Sequence, residues 1–233
     1  MLADRSSLGL RQIALLQGLS PDRLEQIAEL CVWHTLPAGK PLLRRWERES
    51  DVFFLVSGRL RVTVYAANGR QVIFRDSHEG DHFGDIAAID GQPRSADVVA
   101  LAPSVVARLD RVGFLALLRE EPAVAERVMR SLAALVRQLS ERVIDLSTLG
   151  VQNRVHAELL RLAQAAGIEG NRARLEPAPT HAELASQIST NREQVTRELN
   201  AMRREGLLEK EGRALVLTDA QRLVRMVEEV RGA

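Results

Sequence analysis

The spacing of apolar residues changes along this chain, and each change predicts a different kind of element. Up to about residue 30 the spacing is helical. Leu24, Ile27, Ala28 and Cys31 share one face, and Ser20-Pro21-Asp22 supplies an N-cap followed by proline at the first helical position. Residues 1–30 therefore read as helix. From 32 to 109 short runs rich in Val, Ile, Leu and Phe alternate with turn residues. The runs are Val52–Val56, Leu60–Tyr65, Gln71–Phe74 and Val105–Leu109; Pro37-Ala38-Gly39, Ser57-Gly58, Asn68-Gly69 and Gly80-Asp81 punctuate them. Asn68-Gly69 between two such runs predicts a hairpin, and the set predicts a sandwich or barrel.

Residues 111–149 return to helical spacing, with Val124, Val128, Leu132, Leu135, Leu139, Val143, Leu146 and Leu149 on one stripe. No Gly or Pro interrupts the chain between Pro122 and Leu149. Such a helix would be roughly 40 Å long, more than one small barrel can cover. Its stripe wants a partner, either the same helix of a second subunit or the core of its own subunit. Gly150 ends the segment. Residues 151–233 read as three helical stretches and then a strand, Ala214–Leu217.

Of the 233 residues, 45% are hydrophobic, enough for two cores, and only 3% are aromatic, which argues against a stacking surface for single-stranded nucleic acid. The single cysteine excludes an intrachain disulfide and argues against a cysteine-held zinc or iron–sulfur site; Cys31, flanked by Leu30 and Val32, reads as a small buried hydrophobe. No signal peptide or membrane span stands out, so a reduced cytoplasm is the expected location. The formal net charge is +1, and residues 149–233 hold 13 Lys/Arg against 12 Asp/Glu. Charge alone therefore does not announce a nucleic-acid binder.

Two segments carry chemistry. The first is Gly80-Asp81-His82-Phe83-Gly84-Asp85-Ile86-Ala87-Ala88-Ile89-Asp90-Gly91-Gln92-Pro93-Arg94-Ser95-Ala96. Gly84 lets backbone approach a ligand, and Asp85–Ile89 can form a short helical turn whose N–H groups face an anion. Arg94 offers a planar charged fork to phosphate oxygens, and Ser95 adds a hydroxyl. By spacing alone, a solvated surface turn remains open.

The second segment runs from Thr180 to Leu208. Thr180-His181-Ala182-Glu183 is a capping box, and Leu184, Ala185 and Ile188 supply an inner face. Ser189-Thr190-Asn191 makes a turn, and Asn191 caps a second helix with Val195, Leu199 and Met202 inward. Arg192, Glu193, Thr196 and Arg197 share the outward side near its start, where Arg can bond guanine and Glu can accept from cytosine. Arg203 and Arg204 can meet phosphates. A helical hairpin with salt-bridged surface charges is the plainer alternative. Gly206-Leu207-Leu208, Glu211-Gly212-Arg213 and the final strand look like a wing.

The first segment resembles the phosphate-binding cassette of cyclic-nucleotide-binding domains, and Gly39, Gly58 and Gly80 fall where that β-roll turns. Arg192-Glu193-Gln194-Val195-Thr196-Arg197-Glu198-Leu199 resembles the recognition helix of the Crp/Fnr family of transcription regulators, with the Arg-Glu-x-x-x-Arg core intact. The resemblance covers nearly the whole chain in the expected order. It implies an α+β fold: an N-terminal jelly-roll-like β-roll sensor with a long dimerisation helix (about 112–149) over residues 1–149, then a winged helix-turn-helix over 150–233. It implies that Gly84 and Asp85 meet the ribose side of a cyclic nucleotide, with Ile86 and Ala87 also in the binding site, that Arg94 and Ser95 hold its phosphate, and that Leu139 and Ser140 lie where the long helix reads the base. Cyclic AMP is the first choice of effector and cyclic GMP the second.

The resemblance also implies a homodimer on double-stranded DNA with TGTGA-like half-sites in a near-palindrome, its recognition helices roughly 34 Å apart. An activator would need a surface for RNA polymerase, for which the Gln164–Asn171 loop is a candidate by position. Three departures stand out. Asp85 replaces the usual Glu, Leu139 replaces a hydroxyl residue, and Ser189 replaces the usual turn Gly. A constitutive regulator, a sensor of another ligand, and a regulatory subunit making protein contacts are therefore kept as alternatives. His78 and His82 read as solvated loop residues rather than metal ligands; His78 offers a haem little else. No catalytic set is present.

Overall fold

The computed structural model describes residues 6–66 and 71–232. These form two compact units, one ending at Leu135 and one beginning at Val136, so the division falls inside the long helix. The Asn68-Gly69 turn lies outside the described residues. The strands on either side of it, β4 (Arg59–Tyr65) and β5 (Gln71–His78), do pair antiparallel.

In the first unit the helical N-terminus is broken rather than continuous: α1 (Ser7–Leu10), a 3-10 turn (Ala14–Leu16) and α2 (Pro21–Leu30). The predicted cap of α2 is present, with Ser20 Oγ accepting from the Arg23 N–H at 3.2 Å. The strands β1 (Val32–Leu36), β2 (Pro41–Leu43), β3 (Val52–Ser57), β6 (His82–Phe83), β7 (Asp97–Ala100) and β8 (Ser104–Leu109) join β4 and β5 in two four-stranded sheets, ordered β1-β8-β3-β6 and β2-β7-β4-β5. β3 shows why its sequence is apolar without alternation. Phe53 and Leu55 enter the core shared by both sheets, while Val52, Phe54 and Val56 enter a second core against the helices. A strand covered on both faces has no polar side.

Cys31 belongs to that second core, and burial pushes its thiol up to about 12. At pH 8 only about one molecule in ten thousand would hold a thiolate, the reactive form. Native protein is therefore expected to resist Ellman's reagent and to react promptly in denaturant; fast native reaction would contradict this packing.

The helical region after β8 is also divided. α4 (Arg111–Glu120) ends before Pro122, which opens α5 (Pro122–Thr148) where a missing N–H costs least. Along α5, Val124 and Val128 sink into the sensor core, whereas Val136 and Val143 are each 62% exposed.

The second unit contains α6 (Val151–Ala166), β9 (Ile168–Glu169), β10 (Arg172–Leu175), α7 (His181–Gln187), α8 (Arg192–Arg204), β11 (Leu208–Glu211), β12 (Ala214–Leu217) and α9 (Ala220–Arg231). Its sheet is ordered β11-β12-β10-β9. The pattern reading missed three strands and α9. β9 and β10 are too short to show a period. α9 had a legible signal, since Asp219 caps it and Leu223 and Val227 face inward. Among the described residues no helix is long and apolar enough to cross a membrane.

Candidate functional site

The sensor segment folds around Gly84, the residue that caps α3 (Asp85–Asp90). Its φ is 90°, and a Cβ there would come within 2.6 Å of the Asp51 carbonyl and 2.7 Å of Arg94 Nη1. Only glycine fits both the conformation and the space.

Arg94 lies below it, 2% exposed. Its Nη1 donates to the Gly84 carbonyl at 3.1 Å and its Nη2 to the Asp51 carbonyl at 2.7 Å, while its Nε has no hydrogen-bond partner among the described residues. The backbone of Arg94 is fixed as well: its N–H donates to the Glu47 carbonyl (2.8 Å) and its carbonyl accepts from the Trp46 N–H (3.0 Å). Burial pushes its pKa below the ordinary arginine value, against the pull of Asp51, Glu49, Glu47 and Asp85. None of these carboxylates touches it; that of Asp51 pairs instead with Arg108 at 3.3 Å. Arginine stays charged regardless. The result is a buried cation held by neutral carbonyls, a costly arrangement unless an anion completes it.

Asp85 is buried beside His82, with 3.8 Å between Oδ2 and Nε2. Burial pushes the Asp85 carboxyl up, yet His82, its own N–H and Arg75 outweigh this and hold it below the usual carboxylate range. His82 is thus no solvated loop residue: it sits in β6, half-buried, with its ring facing the Asp85 carboxylate. Its position three residues before Asp85 was the available signal. Ala87 is buried, whereas Ile86 and Ser95 are exposed. Leu139 and Ser140 lie on α5 within the second unit and are exposed.

In the second unit both predicted caps form. Thr180 and Glu183 close the capping box, and Asn191 Oδ1 accepts from the Gln194 N–H at 2.9 Å. Ser189 adopts φ 55° in the turn, a left-handed conformation that glycine takes without strain. Val195, Leu199 and Met202 are buried at no more than 1% exposure. Arg192, Glu193 and Arg197 are exposed and enter no side-chain hydrogen bond or ion pair among the described residues.

Thr196 departs from that outward set. It is half-buried; its hydroxyl donates to the Arg192 carbonyl at 2.8 Å and lies 2.7 Å from His181 Nδ1. Threonine on a helix commonly bonds back to the carbonyl four residues earlier, and that habit turns this hydroxyl away from the outward side. Arg203 is half-buried, with Nη1 on Asn200 Oδ1 at 3.2 Å.

Comparison with known proteins agrees with this division. Residues 33–121 match the family described as cyclic nucleotide-binding domain, and residues 153–226 match the Crp-like helix-turn-helix domain. The chain is 25% identical over 217 residues to the CRP-like cAMP-activated global transcriptional regulator of Mycobacterium tuberculosis, covering 93% of this chain and 97% of that one. It is 26% identical over 195 residues to the cAMP-activated global transcriptional regulator CRP of Escherichia coli, covering 83% and 93%. Among solved structures, a CooA mutant from Carboxydothermus hydrogenoformans shares the fold at a TM-score of 0.79, 21% identity and coverage of 94% and 95%.

Proposed function

Because the chain belongs to the Crp/Fnr family of DNA-binding transcription regulators, we propose that it acts as a homodimer whose DNA affinity is gated by a cyclic purine nucleotide. Arg94 carries this reading. A buried guanidinium whose Nε–H has no partner and whose other hydrogen bonds go to carbonyls fits a monoanionic cyclic phosphate in charge and geometry. Asp85, held ionised, suits sugar hydroxyls as an acceptor; Ser95 adds a donor from the exposed rim. The cyclic AMP-activated relatives favour that nucleotide. Isothermal titration with cyclic AMP and, separately, cyclic GMP tests the reading at fixed salt. Micromolar or tighter binding of either is expected, and silence with both would overturn it.

A second reading, a family member answering to a different ligand, is favoured by Leu139. That side chain offers the base no hydroxyl, and Asp85 is already engaged by His82. Under either reading Arg192, Glu193 and Arg197 read base edges of TGTGA-like half-sites, with Thr180 and Asn191 setting the helix starts and Arg203 nearer the phosphates. Effector and dimer are coupled only if the nucleotide prefers one arrangement of the long helices.

The exposed stripe on α5 supports the homodimer. Met129, Val136, Val143 and Ile144 are each more than half exposed on a helix whose first turns are buried. A soluble helix rarely leaves such a stripe open. Val136→Glu combined with Val143→Glu would place four carboxylates in the seam, and the variant is expected to elute at the mass of one chain by light scattering. A dimeric variant would show that the seam lies elsewhere.

A further inference from the structure

Recognition helix α8 is held in its unit by one apolar stripe and, among the described residues, by two polar side-chain ties to other helices. The stripe is Val195, Leu199 and Met202. One tie is Thr196, which reaches His181 at the start of α7. The other is Glu198, whose Oε1 lies 2.6 Å from Nε2 of His156 on α6. His156 is 2% exposed, and the Glu198 side chain is 14% exposed. Nothing in the nucleotide site or the base-reading face accounts for a polar pair buried in this core.

Such a pair is poorly explained by stability. Replacing buried polar pairs with apolar side chains of similar volume is often neutral or stabilising. Direction is what the pair adds. Apolar contacts are non-directional, so a single stripe anchors a helix yet tolerates roll about its axis. At about 100° per residue, Thr196 and Glu198 fall on opposite flanks of the stripe. Bonds on both flanks oppose roll in both senses. A roll of about 20° would carry side-chain tips through about 2 Å at the helix surface. That exceeds the tolerance of a hydrogen bond, whose useful range spans about half an ångström. Arg197 immediately precedes Glu198, so its guanidinium would be displaced directly.

We propose that His156 and Glu198 are positioning residues that fix the roll of α8 and thereby set its discrimination among DNA sequences. The inference rests on the reading above in which Arg192 and Arg197 contact base edges. A site selected from random duplexes with the full-length protein would serve as probe, and its affinity relative to a scrambled duplex gives the discrimination ratio.

The double substitution His156→Leu/Glu198→Leu is expected to melt as a folded protein and to bind scrambled DNA as the parent does, while its discrimination ratio falls by about tenfold, the size of one mismatched contact. His156→Gln keeps an N–H donor for Glu198 and is expected to hold the ratio within about threefold of the parent. A double-leucine variant that discriminates like the parent would overturn the proposal. So would an equal loss in His156→Gln, since the tie would then matter only as packing. If the double variant does not fold, Glu198→Met, which keeps the length of the side chain and loses the acceptor oxygen, decides by the same ratio: a parental melt with a reduced ratio supports the proposal, and an unchanged ratio overturns it. Failure of the underlying reading looks different: Arg192→Ala and Arg197→Ala would then leave the selected sequence preference intact.

Discussion

Arg94→Ala is expected to weaken cyclic nucleotide binding by about a hundredfold or more. Two charge-assisted bonds from a buried side chain to one phosphate together contribute roughly 3–5 kcal/mol. The desolvation cost of the cation is already present in the folded protein, where Arg94 is 2% exposed, hydrogen-bonded to carbonyls and set over the Phe53 ring. An incoming phosphate therefore gains the interaction without a further cost for burying the arginine. The same reasoning limits the damage to folding. Alanine loses the bonds to Gly84 and Asp51 but also removes a buried unpaired charge, so the unliganded melting temperature should move little. The rise in melting temperature on adding nucleotide should vanish, since only ligand that binds the native state stabilises it. Arg94→Lys keeps the charge and loses the fork, and should fall between the two. A nucleotide-dependent melting shift and nucleotide-dependent DNA binding that both survive in Arg94→Ala would sink the proposed site.

The second large effect belongs to the other unit. Arg192→Ala with Arg197→Ala should lower affinity for the selected DNA site by at least about thirtyfold, since each bidentate arginine–guanine contact is worth roughly 1–3 kcal/mol. Neither arginine has an internal partner to lose among the described residues, so the fold should be untouched. Binding to scrambled duplex, carried by phosphate contacts, should persist with nearly the same dependence on salt. A gel shift on both duplexes at several salt concentrations separates the outcomes. Parallel loss on both would make these residues phosphate contacts. No loss on either would return α8 to a protein-facing role.

Much of this was legible because it is local. Caps are written in three or four consecutive residues, and Ser20, Thr180 and Asn191 all cap as their sequence predicts. Inward faces follow from periodicity, so Leu184, Val195, Leu199 and Met202 are buried as expected. Gly84 predicts that backbone can approach a ligand; the close approach in the structure is to Asp51 and Arg94. Pro122 was visible too, but its consequence was misjudged: a helix can begin at proline, which divided one predicted helix into α4 and α5.

What the sequence by itself determined, then, is the order of elements, the two chemical segments and the family they resemble, because each depends on residues near one another in the chain. Tertiary structure alone decided which partner a polar side chain finds far away in the chain. The carbonyl of Asp51 bonds an arginine 43 positions away. His156 meets Glu198 across 42 positions, and His181 meets the Thr196 hydroxyl across 15. Such pairings have no period and no motif. They arise where packing brings two distant stretches together, and there a buried donor must find an acceptor or remain, like Nε of Arg94, without one.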